Sequence, residues 1–483
     1  MSEMRFEPVI GLEIHVQLKT RTKIFCGDSV EFGAEPNTHV CPVCLGLPGA
    51  LPVLNEGVVE LGLRAALGLN CTIHEESVFA RKNYFYPDLP KGYQITQDDR
   101  PLATDGYLDA PIERGAEEVR RVRIERVHLE EDAGRSIHDR FEGETAIDLN
   151  RAGVPLVEIV TRPDLTSPAH TREFLTNLKQ ILEYLEVSDC DMEKGSLRVD
   201  ANLSIRPVGS EEFGVKTELK NMNSFSNVER ALAYEIERQI GIVEGGGTVV
   251  SESLLWDPAR GETRAMRTKA EAEDYRYFPE PDLPPLIVGR DEIERIGAAL
   301  PEMPRARMAR FQEEYDLPPY DAEVLTASRA VADYFEETAR AAGDPKAASN
   351  WIMTEVLAWL NQEQCEIEDL PISPEALAEL IGLVADGTLS TNLGREVFVK
   401  MTETGKGPAE IVEEEGLSQV RDTDQLEVWI AEVVEAFPDE AERYRQGEGR
   451  LLGHFMGQIM RKSKGKADPK LVNSLLREYL SGD

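Results

Sequence analysis

A carboxylate and an imidazole two residues apart on one β-strand can chelate a divalent ion, and Glu13 and His15 stand in that relation within Val9-Ile-Gly-Leu-Glu-Ile-His-Val-Gln-Leu18. As a strand, this alternating run puts Glu13, His15 and Gln17 on one face and Leu12, Ile14, Val16 and Leu18 on the other. The pattern equally suits a half-buried strand whose polar face meets water. A second group with metal chemistry is Cys26-x14-Cys41-Pro-Val-Cys44. A C-x-x-C knuckle lets two thiolates approach one tetrahedral ion, and a distant third can close the loop between them. Zinc needs a fourth ligand, for which Asp28 and His39 are the nearby choices; three reduced thiols packed without metal are the alternative.

Other strand-like runs carry charge on one side. Leu197–Arg206 sets Arg198, Asp200, Asn202, Ser204 and Arg206 against Val199, Ala201, Leu203 and Ile205, and Val215–Lys220 repeats the arrangement with Lys216, Glu218 and Lys220, spaced as the second arm of a hairpin. Such a face is either solvated or the floor of a site for phosphate and metal. The acidic run His128-Leu-Glu-Glu-Asp-Ala-Gly134 and the apolar strand Pro155–Val160, which carries the lone Glu158, favour the second reading. An ionised carboxylate in an apolar strand is costly unless a cation or hydrogen bonds offset it. No Walker A run, no G-x-G-x-x-G after a strand and no G-x-S-x-G elbow occurs, so a nucleotide would need a sheet-based site. No glutaminase nucleophile with its base is evident either.

These residues need a large scaffold to position them. At 483 residues, 41% hydrophobic and 29% charged, the chain is too long for one core and too apolar for disorder. It lacks a bilayer-length apolar run and an N-terminal apolar signal core, which implies a cytosolic protein. Six scattered cysteines do not make a disulfide framework. The net charge of −36 excludes nonspecific coating of nucleic acid, so any RNA contact must use a local basic patch. Arg461, Lys462, Lys464, Lys466 and Lys470 form one near the end, although cations at a helix C-terminus give the same pattern. The fold class is α+β. Residues 1–295 read as a mixed, largely antiparallel sheet domain, with a helix over 168–186 after Ser167-Pro168 and an extended crossing at 275–286. Residues 296–410 read as a helical domain and 411–483 as a helical tail, with Gly405-Lys-Gly-Pro408 as the linker and Leu471, Val472, Leu475, Leu476 and Leu480 as the last apolar series.

Six ordered stretches carry a family resemblance: Val9–Leu18, Phe32–Asn37, Arg81–Asp88, His128–Gly134, Glu218–Phe225 and Asp274–Asp282, with the tail Gly457–Lys466. Together they resemble the B-subunit family of bacterial glutamyl/aspartyl-tRNA amidotransferases, essentially end to end. The resemblance implies a cradle-shaped catalytic domain and ATP-dependent amidation of Glu-tRNA(Gln), Asp-tRNA(Asn) or both, because a carboxylate resists ammonia until it is phosphorylated. It implies Mg²⁺ at Glu13, His15, Glu131 and Glu158, with Glu130 the fallback for Glu131. Lys82, Arg198 and Lys220, with Tyr84-Phe85-Tyr86, are expected to touch phosphate and the acceptor end. It further implies an amidase A subunit that supplies ammonia, a small C subunit, and tRNA contacts from Arg461, Lys462, Lys464 and Lys466. Similar sequences carry C-x-C where this chain has Cys26-Gly27-Asp28, so structural zinc on Cys26, Asp28, Cys41 and Cys44 is expected only if Asp28 or His39 completes the set. A catalytically silent tRNA-binding scaffold is the competing function.

Overall fold

The computed structural model describes residues 6–141, 143–268, 275–417, 423–463 and 466–481. The chain forms two compact units, Met1–Met303 and Pro304–Asp483.

The first unit is built on a nine-stranded sheet in the spatial order Glu262–Thr268, Glu252–Asp257, Thr217–Lys220, Leu197–Pro207, Phe6–Gln17, Pro155–Thr161, Val119–Glu131, Ala103–Pro111 and Thr72–Ile73. All neighbours are antiparallel except Thr217–Lys220 and Glu252–Asp257. The alternation in the sequence decides which face is dry: Ile10, Leu12, Ile14 and Val16 are at most 1% exposed and pack with Val199, Leu203, Val127 and Ile159. Helices Glu56–Gly68, Pro168–Tyr184 and Phe225–Glu244 close that face with Leu63, Phe174, Leu178, Val228 and Leu232. Each such side chain contributes about 1.5–3 kcal/mol on leaving water. Helix Pro168–Tyr184 starts where Ser167 accepts from the His170 N–H, and stops two residues short of the expected end because Glu186 turns to φ 56°.

The opposite face keeps the polar residues. Beside it lies a small sheet of Phe278–Pro279, Phe79–Asn83 and Tyr93–Gln97, whose Gln94 and Ile95 hydrogen-bond to Glu131. The expected extended crossing at 275–286 is thus a strand in part, paired through Phe278 with Arg81 and through Pro279 with Ala80.

In the second unit, helices between Pro304 and Glu415 surround Phe311, Phe335, Ile352, Leu380 and Val397, and helices between Thr423 and Ser481 surround Ile430, Phe455, Ile459, Val472, Leu476 and Leu480. Gly405-Lys-Gly-Pro408 is not a domain linker. Gly405 ends helix Thr391–Thr404 at φ 68°, Pro408 starts the next helix, and Ile411 and Val412 belong to the same core as Met401. Helix Pro469–Ser481 begins where Asp468 accepts from the Lys470 and Leu471 N–H groups; Leu471, expected in its apolar series, is 38% exposed. Among the described residues no helix is long and apolar enough to cross a membrane.

The first of these cores has a charged rim. Arg307, 5% exposed, pairs with Asp333 at 2.6 Å and with Glu336, which also accepts from Arg310 at 2.8 Å. Removing one partner of a buried pair leaves the other charge uncompensated, so Arg307→Met is expected to lower unfolding stability by about 3 kcal/mol, the low end for such losses because Arg310 remains. Denaturant titration of the purified chain measures this; a change under about 1 kcal/mol refutes it. The arginines hold the Glu336 carboxyl below the usual carboxylate range despite burial. Their contribution is therefore full at neutral pH and fades as the pH falls below about 4.5.

Candidate functional site

Strand register lines up one polar row across four strands. His15 faces Glu158 on one side and Arg198 on the other, and Glu158 faces His128. His15 Nε2 lies 3.3 Å from Glu158 Oε2 and 3.5 Å from Glu130 Oε1, and His128 Nε2 lies 3.1 Å from Glu158 Oε2. Ligand atoms of His15, Glu130 and Glu158 fall within 4.8 Å of one another, a set that could hold a cation. Glu130 is 3% exposed and Glu158 8%, so two buried carboxylates share one small volume. Like charges there demand a positive partner. The imidazoles fill that place: burial alone would lower both, but Glu158 and Glu130 raise His15 and push His128 up to about 9. Against its own burial, Glu158 is held well below the usual carboxylate range by His128 and His15.

Of the four expected magnesium ligands, the structure brings His15 and Glu158 together and separates the other two. Glu13 stands one row away, opposite Asp200, and accepts from Asn202 Nδ2 at 3.0 Å. Glu131 points elsewhere: it forms an ion pair with Lys91 and accepts the Ile95 N–H at 2.8 Å. The reason is the two-residue period of the strand, which puts His128 and Glu130 on the face of Glu158 and sends Glu131 to the other. Glu130 therefore replaces Glu131 in the cluster, with no bulge needed at that point.

The cluster lies in a cavity of ≈ 380 Å³ whose lining also includes Glu13, Lys82, Tyr84, Arg198, Lys220 and Tyr275. Lys220 is held by Asp200 at 2.5 Å and Glu218 at 3.0 Å, and Arg198 by Asp132 at 2.8 Å. Lys82 differs from them. Its ammonium has no carboxylate partner among the described residues and sits 4.8 Å from the Tyr275 ring centre and 5.9 Å from that of Tyr84. Phe85 and Tyr86, from the same aromatic run, are exposed. A second cavity of ≈ 270 Å³ shares Glu13 and is lined by Val9, Leu12, Val160, Pro163, Phe213 and Lys216.

The cysteine knuckle forms a separate cluster of Cys26, Asp28, Cys41 and Cys44. Cys44 Sγ lies 3.6 Å from Cys26 Sγ, 3.8 Å from Cys41 Sγ and 3.1 Å from Asp28 Oδ2. A Zn–S bond of about 2.3 Å gives tetrahedral edges of about 3.8 Å, so the spacing suits one ion. Asp28, and not His39, supplies the fourth group; the His39 ring lies outside the cluster. Lys23, fully buried, donates to the His39 carbonyl at 2.7 Å and lies 3.4 Å from Cys44 Sγ and 3.5 Å from the Leu149 carbonyl. The hydrogen bond from Cys26, joined by the Lys23 charge, lowers the Cys44 thiol to about 6.

Residues 8–294 match the family model described as the GatB/GatE catalytic domain, and residues 333–480 match that of the GatB domain. The chain belongs to the GatB/GatE family. It is 53% identical over 477 residues, 99% of this chain and 98% of the relative, to the B subunit of the aspartyl/glutamyl-tRNA(Asn/Gln) amidotransferase of Prosthecochloris aestuarii. The B subunits of the same name from Caldanaerobacter subterraneus and Persephonella marina are 53% and 52% identical over 478 residues each, 99% of this chain and 100% of each relative. The polar row and the knuckle both lie within the GatB/GatE catalytic span.

In this GatB/GatE chain the tail's basic residues divide. Lys462 pairs with Glu432 at 2.5 Å, Lys466 donates to the Gly416 carbonyl at 2.5 Å, Arg461 is exposed with no carboxylate partner among the described residues, and Lys464 lies outside the described residues. The sequence singled out none of Lys91, Tyr275 and Tyr277 for the site; Asp200 and Glu218 it placed on polar strand faces that could floor a phosphate and metal site, and Asp132 within the acidic run 128–134, without giving any of the three a role of its own.

Proposed function

We propose that this chain is the carboxylate-activating subunit of a glutamine-hydrolysing aminoacyl-tRNA amidotransferase, acting on Glu-tRNA(Gln), Asp-tRNA(Asn) or both. The observation that carries this reading is the convergence of His15, Glu130 and Glu158 on one pocket floor with Arg198, Lys220 and Lys82 around it. A carboxylate oxygen of the aminoacyl group attacks the γ-phosphorus of ATP, the bond to the bridging oxygen breaks, and ADP leaves. Ammonia then attacks the acyl carbon of the resulting acyl phosphate, and inorganic phosphate departs. Two anions must meet in the first step.

His15, Glu130 and Glu158 are the residues that would hold Mg²⁺, whose role when bound is to neutralise charge on the phosphates. Two carboxylates and an imidazole leave room for phosphate oxygens and water, which matches the habit of magnesium in phosphoryl-transfer sites. Arg198, fixed by Asp132, and Lys220, fixed by Asp200 and Glu218, add positive charge that needs no rearrangement as the reaction proceeds. The Phe213 cavity suits an adenine, since Val9, Val160 and Pro163 offer apolar walls and the shared Glu13 joins it to the main pocket. With no glutaminase nucleophile evident in this chain, ammonia comes from an amidase A subunit, with a small C subunit completing the assembly. The knuckle holds a structural zinc through Cys26, Asp28, Cys41 and Cys44.

His15→Ala in the assembled enzyme tests the reading. The expected result is loss of ATP-dependent amidation and of the ADP formation that measures it, with tRNA affinity kept; unchanged amidation would leave only the scaffold function. In the tail, Arg461 reaches tRNA phosphate, so Arg461→Ala is expected to reduce the slope of log affinity against log salt by about 1, whereas an unaltered slope would remove it from the interface.

A further inference from the structure

We infer that the cysteine knuckle is a site of reversible oxidation by hydrogen peroxide, at which Cys44 closes a disulfide with one of the two outer thiols, Cys26 or Cys41. The bridge depends on the three sulfurs alone; the loss of metal that would accompany it rests on the zinc assignment made above.

Cys44 Sγ lies 3.6 Å from Cys26 Sγ and 3.8 Å from Cys41 Sγ, the only thiol–thiol contacts among the described residues, and Cys44 is common to both. The backbone reaches this meeting point from two directions, and each arm is tied down. Leu45 donates to the Cys41 carbonyl at 3.1 Å and Gly46 to the Val43 carbonyl at 3.0 Å, which closes a turn around the C-x-x-C pair. The arm that carries Cys26 is held by the Ile24 N–H on the Gly153 carbonyl at 3.0 Å and by the Asn55 N–H on the Ile24 carbonyl at 2.9 Å. Exposure divides the roles. Cys26 and Cys41 are half-buried beside the exposed Gly27 and Pro42, so a small oxidant reaches them, whereas Cys44 is 7% exposed. The Lys23 ammonium, 3.4 Å from Cys44 Sγ, holds that sulfur between its neighbours and makes the surroundings electropositive, the setting in which reactive cysteines are found.

In the first step an outer thiolate attacks one oxygen of peroxide. The O–O bond breaks, hydroxide leaves and takes up a proton as water, and the cysteine becomes a sulfenic acid. The Cys44 sulfur then attacks the sulfenic sulfur, the S–O bond breaks, and a second hydroxide leaves as water. Each of the two sulfurs gives up one electron, and peroxide is reduced to water. A dithiol reverses the bond by exchange. Metals bind the thiolate, so one bridge leaves a single thiolate and Asp28 where a structural zinc needs four groups. Asp28 also sets where the reaction stops. A carboxylate cannot join a disulfide, so three sulfurs allow one bridge and leave one thiol over. The remaining cysteines lack such a neighbour: burial pushes the Cys71 and Cys190 thiols up to about 12, and Cys365 makes no thiol contact among the described residues.

The test treats the assembled enzyme with hydrogen peroxide, alkylates the remaining thiols and maps the unreduced digest by mass spectrometry. The expected product is one bridge containing Cys44, with Cys71, Cys190 and Cys365 outside any bridge and all three knuckle thiols regained on adding dithiothreitol. In Cys44→Ser the sulfenic acid on the outer thiols is expected to persist and to be trapped by dimedone in severalfold higher yield than in the parent. Cys71 and Cys190 should resist alkylation in the native variant as in the parent, which reports that it is folded. A parent bridge between Cys26 and Cys41 overturns the proposal, and so does a bridge that forms as fast in Cys44→Ser, or peroxide that leaves the knuckle thiols unbridged. Zinc captured by a chromophoric chelator in the same samples separates the two assignments: a bridge without zinc release removes the metal and keeps the oxidation site, whereas zinc retained without a bridge removes the oxidation site and keeps the metal.

Discussion

Glu130→Gln is expected to slow ADP formation on misacylated tRNA by about three orders of magnitude, while Glu131→Gln leaves that step within about tenfold of the parent. The two residues are neighbours with the same chemistry, and only their faces differ. Glu130 lies 3.5 Å from His15 Nε2, in the volume it shares with Glu158, whereas Glu131 is spent on Lys91 and the Ile95 N–H. Glutamine keeps the shape and removes the charge, so the variant loses cation binding and little packing. A divalent ion stabilising charge in the transition state is worth several kcal/mol, and each step of about 1.36 kcal/mol is a factor of ten in rate. Single-turnover measurement of ADP decides the matter. Equal losses in both variants would place the chemistry on both glutamates and refute the assignment to one face.

The second large effect concerns the knuckle. The purified protein is expected to contain one zinc per chain, Cys44→Ser to lose it, and Asp28→Cys to retain it at chelator concentrations that strip the parent. Cys44 touches the other three groups at 3.1 to 3.8 Å, so its loss opens the whole set, and a fourth thiolate suits zinc better than a carboxylate oxygen. Metal analysis and a chelator titration monitored by thermal melting measure both. Zinc-free parent protein would mean that the thiols hold the loop by packing and by Lys23 alone.

Much of this molecule is written in local pattern. The alternation from Val9 to Leu18 is enough to say which side chains of the first strand are dry, and Ser167-Pro168 marks a helix start that the structure keeps. The same alternation, applied to His128–Gly134, puts Glu130 and not Glu131 on the face of Glu158, whereas similarity to a family pointed first to Glu131 and kept Glu130 as the fallback. Other features depend on distance along the chain. Tyr275 meets Lys82 across almost two hundred positions, and Arg81 meets Glu280 likewise, contacts that only the finished topology brings about. Charge counts also leave out local partners: Lys462 and Lys466, expected to contact RNA, meet Glu432 and the Gly416 carbonyl in the folded chain. Gly405-Lys-Gly-Pro408 has the composition of a linker because ending one helix and starting another calls for the same residues.

Lys23 links two regions that would otherwise be independent. Its ammonium reaches Cys44 and the Leu149 carbonyl, and four residues on from Leu149 the Gly153 N–H bonds to the Asp132 carbonyl at 2.9 Å, next to the carboxylate that fixes Arg198. On the proposed zinc assignment, loss of the ion would therefore be felt as slack in the wall that carries Arg198, and turnover by the proposed amidotransferase is expected to slow with it.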